Sequence, residues 1–217
     1  RRKRRKFYDL YPEAGPLRRG LYAKHMEFFR RGAIDSERGM IAANRVGKTW
    51  GVGAYEVTAH ATGIYPDWWE GKRFSEPTSI WVAGDTSQTT RDVIQFALFG
   101  VGGEGAEGEL GTGMIPGDLI VGTPTAARGV SGAFDTGMVR HITGGLSSIG
   151  HKSYDQGRKK FQGTAKHVVW LDEEPPLDVY TECLTRIMTV NGILLSTFTP
   201  LEGATAVVNM YLEAQQG

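Results

Sequence analysis

Met40–Ala43, Ser79–Ala83, His167–Leu171 and Ile193–Leu195 are short apolar runs, and each ends in a polar turn. Continuous runs of this length, without alternation, predict strands buried on both faces of a parallel sheet. Helical spacing appears between them. Leu21, His25, Phe28 and Phe29 fall near one face of a helix over 21–31, which Gly32 stops. Residues 50–62 predict a helix directly behind the first run, although Gly51 and Gly53 each lower its propensity by up to ~1 kcal/mol relative to Ala. Val93, Ile94, Ala97 and Leu98 set a helix over 88–99, behind a turn, Gly84-Asp85-Thr86-Ser87, rich in N-capping residues. Another helix spans 178–190. Strand, turn and helix in alternation predict an α/β fold with a mostly parallel sheet.

The remaining stretches read differently. Residues 137–143 and 149–154 alternate apolar and polar positions around Gly144-Gly145, which predicts a peripheral hairpin. Leu119–Val121 is a short strand. Trp68 and Trp69 anchor a surface loop over 63–77. Gly- and Glu-rich residues 100–113 predict a flexible loop that runs on to 118. Residues 1–20 form a basic, irregular arm. Its run Arg1–Lys6 is either a solvated tail or a phosphate contact.

Composition narrows the class. The chain has 217 residues, enough for one large domain, with 40% hydrophobic and 23% charged residues, so it is globular. The net charge is only +1, so any nucleic-acid binding must use a local patch. Cys183 is the single cysteine, which rules out an internal disulfide and fits a reducing compartment. No apolar run reaches membrane-spanning length, and the basic start has no apolar segment behind it. The chain opens on Arg1 rather than Met and reads as a piece of something longer.

The chemistry begins where the first strand meets its helix. Ala43-Asn44-Arg45-Val46-Gly47-Lys48-Thr49 has the layout of a phosphate-binding loop, with Ala42 where the pattern expects a first glycine. Backbone N–H groups and the helix N-terminus favour phosphate, Lys48 reaches the β/γ oxygens, and Thr49 suits Mg²⁺. The third run ends in Asp172-Glu173-Glu174. There, Asp172 can hold a Mg²⁺-bound water and Glu173 can accept a proton from an attacking water. Ser196 and Thr197 end the last strand, where hydroxyls can sense a γ-phosphate. Tyr22 and His25 either cup an adenine ring or belong to a packing helix.

These motifs resemble the ATPase domain of phage terminase large subunits, the motors that pump double-stranded DNA into capsids. The resemblance rests on residues 42–49, Phe161-Gln162-Gly163, 168–174 and Ser196-Thr197, and it covers nearly the whole of 1–217. It implies a RecA-like P-loop NTPase of the additional-strand type, ATP and Mg²⁺, Glu173 as catalytic base, and Ser196-Thr197 as a coupling motif. It also implies a portal protein, a small terminase subunit and a homo-oligomeric ring, a pentamer, as partners in the host cytoplasm. A nuclease domain is expected beyond residue 217. Arg45 or Arg158 would stabilise the transition state, Arg158 from a neighbouring subunit. Alternatively, Arg158 belongs to a solvated basic segment or contacts DNA with Lys159 and Lys160. Other readings are a helicase-like translocase, which would carry a second set of motifs, and a nucleotide switch, which would not need Glu173.

Overall fold

A computed structural model describes residues 6–43, 46–102, 108–200, 203 and 205–214. One mixed sheet organises them, with strands β1 (Glu37–Ile41), β2 (Ser79–Gly84), β3 (Ile120–Ala126), β4 (Phe134–Arg140), β5 (Leu146–Ser153), β6 (Val168–Asp172) and β7 (Ile193–Phe198). Their order is β1-β7-β6-β2-β5-β4-β3. The first five in that order are parallel; β4 runs antiparallel to β5, and β3 antiparallel to β4. The α/β expectation holds, including the additional strand: β7 separates β1 from β6.

Helices cover both faces. On the first face, Ile80, Val82, Val168, Trp170, Ile193 and Leu195 pack against Val52, Ala54, Tyr55 and Val57 of the helical run Lys48–Ala54 and Tyr55–Thr62. Ser87–Thr89, Thr90–Gln95 and Phe96–Phe99 run on as one helix that adds Ile94, Ala97, Leu98 and Phe99. Thr86 starts it with a reciprocal capping box to Thr89. On the second face, Trp81, Val169, Leu171 and Leu194 meet Val179, Tyr180, Cys183 and Ile187 of Leu177–Met188 and Val207 of Ala206–Ala214.

Gly53 is a close-approach position. A Cβ there would lie 2.1 Å from the Trp170 indole, so its cost in helix propensity accompanies tight helix–sheet packing.

Three expectations are corrected. β1 starts at Glu37, ends at Ile41 and lies at the sheet edge, only half-buried, whereas the apolar run predicted a fully buried strand over 40–43. Only β7 flanks it, and Ala42 and Ala43 already belong to the turn. The β4–β5 hairpin turns at Gly144-Gly145, both at positive φ, but it is not peripheral. β5 pairs in parallel with β2 and so extends the central sheet. Residues 108–118 do not form a loose loop. Gly111, Met114 and Ile115 donate backbone hydrogen bonds to the carbonyls of Phe99, Ala97 and Leu98, and Met114 and Ile115 are buried. Residues 103–107 lie outside the described residues.

Candidate nucleotide-binding site

Gly47 opens the site with φ 84°, a left-handed turn that costs glycine little. Lys48–Ala54 then starts with a widened turn, in which the Gly47 carbonyl accepts from both Gly51 N and Val52 N at 2.7 and 3.3 Å. Its first N–H groups have no partner within the helix and form a site for anions. The Lys48 ammonium is held by the carbonyls of Ala42 and Ala43, at 2.8 and 2.7 Å, and by Thr199 Oγ1 at 2.9 Å. Burial lowers its pKa, and Asp172 and Glu173 oppose that shift.

The period of two along β6 and β7 brings the carboxylate to the loop. Trp170 and Asp172 share a face, Asp172 sits opposite Thr197 in the register, and both face the Lys48–Ala54 segment. Thr49 Oγ1 donates to Asp172, with its two oxygens at 3.2 and 3.1 Å. Thr197 Oγ1 donates to Asp172 Oδ1 at 2.6 Å and accepts from Trp170 Nε1 at 2.7 Å. Burial pushes the Asp172 carboxyl up to about 6, and hydrogen bonds from Thr197 and Thr49 draw it back down. Glu173 next to it is exposed and adopts φ 67°, strained for a residue with a side chain. Its N–H donates to the Thr197 carbonyl at 3.2 Å. Gly47, Lys48, Thr49, Asp172, Glu173 and Thr197 line a cavity of about 190 Å³. That volume suits phosphates and a cation rather than a whole nucleotide.

The adenine expectation is corrected for His25. Its ring is buried, with Nδ1 2.8 Å from Tyr11 Oη and Nε2 3.1 Å from the Val46 carbonyl. Tyr11 Oη also donates to the Gly51 carbonyl at 2.7 Å. Both ring nitrogens are therefore engaged in holding the loop from behind. A Cβ on Gly51 would lie 2.7 Å from that hydroxyl, so the glycine admits the clamp. Tyr22 lies half-buried over His25, with ring centroids 5.3 Å apart.

The coupling pair is also corrected, for Ser196. It lies on the opposite face of β7, where its hydroxyl accepts from Tyr211 Oη at 2.9 Å, so only Thr197 reaches the carboxylate. Arg158 donates to Glu182 at 3.0 Å on the outer side of Leu177–Met188 and is not among the residues lining the cavity. Asn44 and Arg45 lie outside the described residues, whereas Ala43 and Val46 contribute carbonyls as stated.

Three participants escaped the sequence reading. Thr199 contacts Lys48, and the period of two from Thr197 is the signal that could have found it. Tyr154 donates to the carbonyls of Asp172 and Glu173, at 2.9 and 3.2 Å, from beneath the strand end. Tyr11 sits in the segment read as irregular, and nothing local marks it.

Oxygen donors on Thr49 and Asp172 suit Mg²⁺, which binds through one or two carboxylates and substrate phosphates. Residues 40–216 match the family model described as terminase large subunit, T4likevirus-type, N-terminal. The large subunit of the Salmonella phage P22 terminase is 36% identical over 209 residues, which cover 88% of this chain and 41% of that protein. The chain thus spans less than half the length of that relative. The large terminase of a thermophilic bacteriophage shares the fold, with a TM-score of 0.63 at 12% identity over 89% of this chain and 42% of the other. A second structure of that terminase, in complex with ADP, gives a TM-score of 0.59 at 13% identity, again over 89% of this chain and 42% of the other. The chain belongs to the N-terminal family of phage terminase large subunits.

Proposed function

We propose that this site binds ATP with Mg²⁺ and hydrolyses it, and that the chain is the motor that drives double-stranded DNA into a procapsid. The observation that carries the reading is the Thr49–Asp172–Thr197 hydrogen-bonded set beside Lys48 and the exposed Glu173. The ADP bound to the thermophilic phage relative supports a nucleotide ligand on this fold. The helix N-terminus and Lys48 bind the β/γ-phosphates. Thr49 and Asp172 would hold Mg²⁺, which neutralises charge on the phosphates. Glu173 takes the proton of the attacking water. Its strained backbone and the Tyr154 hydroxyl fix where the carboxylate leaves the strand. Tyr22 offers a face for adenine, and His25 acts only through the loop. Thr197, bonded to Asp172, passes the state of the phosphates into β7.

The wider partners follow from the family: a portal protein, a small terminase subunit and a ring of identical subunits in the host cytoplasm. The test is nucleotide binding and steady-state phosphate release, with and without DNA. Glu173→Gln is expected to bind ATP like the parent and turn it over ~10²–10⁴-fold more slowly. Lys48→Ala is expected to lose hydrolysis altogether, since it removes the charge on the β/γ-phosphates. Parent-like turnover in Lys48→Ala would overturn the reading, and parent-like turnover in Glu173→Gln would move the base elsewhere.

A further inference from the structure

A net charge of +1 hides a strong local imbalance. Residues 152–166 carry five basic side chains against one acidic, Asp155. That one is engaged within the segment, where it accepts from Ser153 Oγ at 2.5 Å. The fold gathers two of the lysines about one ring and sets a third beside them. Lys152 leaves the end of β5, Lys166 precedes β6, and their ammonium groups lie 5.2 and 4.9 Å from the Trp81 ring centroid. Phe161 meets the same indole edge-on at 6.0 Å. The exposed Lys160 lies close enough to Lys152 to lower its pKa, and Lys152 lowers that of Lys166 in turn. In both, burial is the larger cause, and only Asp135 opposes, at Lys152. Among the described residues, no ion pair joins any of the three to a carboxylate. Cations crowded together and left unpaired repel one another, and a line of phosphates relieves that repulsion.

We propose that Lys152 and Lys166, gathered around Trp81, form with the nearby Lys160 a contact site for the backbone phosphates of double-stranded DNA. The proposal rests on the motor reading and adds to it the surface that holds the duplex. Small residues open the sheet face beside the lysines: Ser148 and Gly150 share it with Lys152 and are half-buried. Lysine ammonium groups on a flat face suit phosphates without base readout, as a motor indifferent to sequence requires. Position adds a second argument. Tyr154, two residues beyond Lys152, holds the carbonyls of Asp172 and Glu173, so the duplex would sit against the segment that fixes the catalytic carboxylates.

The test is the affinity of the chain for a mixed-sequence duplex across a range of salt concentrations, read by fluorescence anisotropy. The Lys152→Gln/Lys160→Gln/Lys166→Gln variant is expected to bind ~10–100-fold more weakly. Its slope of log affinity against log salt should be shallower by about 2–3, close to 0.9 per lost phosphate contact. The corresponding triple Arg variant should keep the parental slope, which separates lost charge from damaged packing around Trp81. ATP turnover without DNA should be unchanged in both. A parental slope in the triple Gln variant would overturn the site while leaving the motor reading intact, and would make an acidic protein surface the better occupant. A parent that hydrolyses ATP but binds no duplex at any salt would overturn the DNA partner itself. Loss of ATP turnover in the parent would strike the nucleotide reading instead.

Discussion

That Lys48, Thr49, Asp172 and Glu173 meet at one cavity was legible in sequence, because each belongs to a local pattern, strand then turn then helix, whose spacing alone sets its place. Tyr11 was not, since it reaches the loop across the fold, 40 residues from the Gly51 carbonyl it caps. Proximity to the motif misassigned His25 and Ser196. The first faces the back of the loop, and the second lies on the wrong side of a strand whose period of two decides everything. The clamp has a measurable consequence. Tyr11→Phe keeps the ring packing and removes the hydrogen bonds to Gly51 and His25. One net hydrogen bond is worth ~1 kcal/mol, so ATP affinity should fall by roughly 3–10-fold while the DNA slope stays parental. Nucleotide titration checks this, and an unaltered affinity would mean that the loop holds its shape without the clamp.

At the scale of elements, the apolar runs located β2, β6 and β7, because strands buried on both faces leave no alternation to misread. The edges were harder. β1 includes Glu37 and Arg38, which hydropathy assigns to a turn, because Arg38 turns inward. Its guanidinium donates to Glu56 Oε1 at 2.6 Å, to Oε2 at 3.2 Å and to the Phe28 carbonyl at 2.6 Å. His60 completes the set with Nε2 3.2 Å from Glu56 Oε1. This pair ties the strand before the phosphate loop to the helix after it, in a site where Arg38 and Glu56 are 5% and 0% exposed. Breaking one partner strands a buried charge, so Arg38→Ala should destabilise the fold by ~3–5 kcal/mol in denaturant unfolding. Arg38→Met with Glu56→Leu should recover most of that loss. A double variant no more stable than Arg38→Ala would show that the cost lies in packing rather than in charge.

The strand order of the whole molecule is beyond any local reading, since β7 enters between β1 and β6 from more than a hundred residues downstream of β1. Arg158, paired with Glu182 of Leu177–Met188, does not line the chain's own cavity. A transition-state role for Arg158 therefore demands a neighbouring subunit, and an arginine finger is commonly worth roughly 10³–10⁵ in rate. We expect specific ATPase activity to rise with protein concentration. Arg158→Ala should bind ATP normally and stay slow at every concentration. Mixed with Glu173→Gln, it should regain activity, because each variant lacks a different half of a composite site. A mixture as slow as its parts, with assembly intact by light scattering, would remove Arg158 from the reaction.

Cys183 lies fully buried beneath β6 and β7, with its thiol pushed up to about 12 by burial. A thiol that does not ionise does not react. The native chain should therefore consume almost no thiol reagent and take up one equivalent once unfolded, which makes the wild-type sequence its own unreactive background. A cysteine placed at the exposed Thr164, two residues before Lys166, would then carry a single fluorophore without any prior removal of Cys183. Spectroscopy of this chain could then be done with one position altered only.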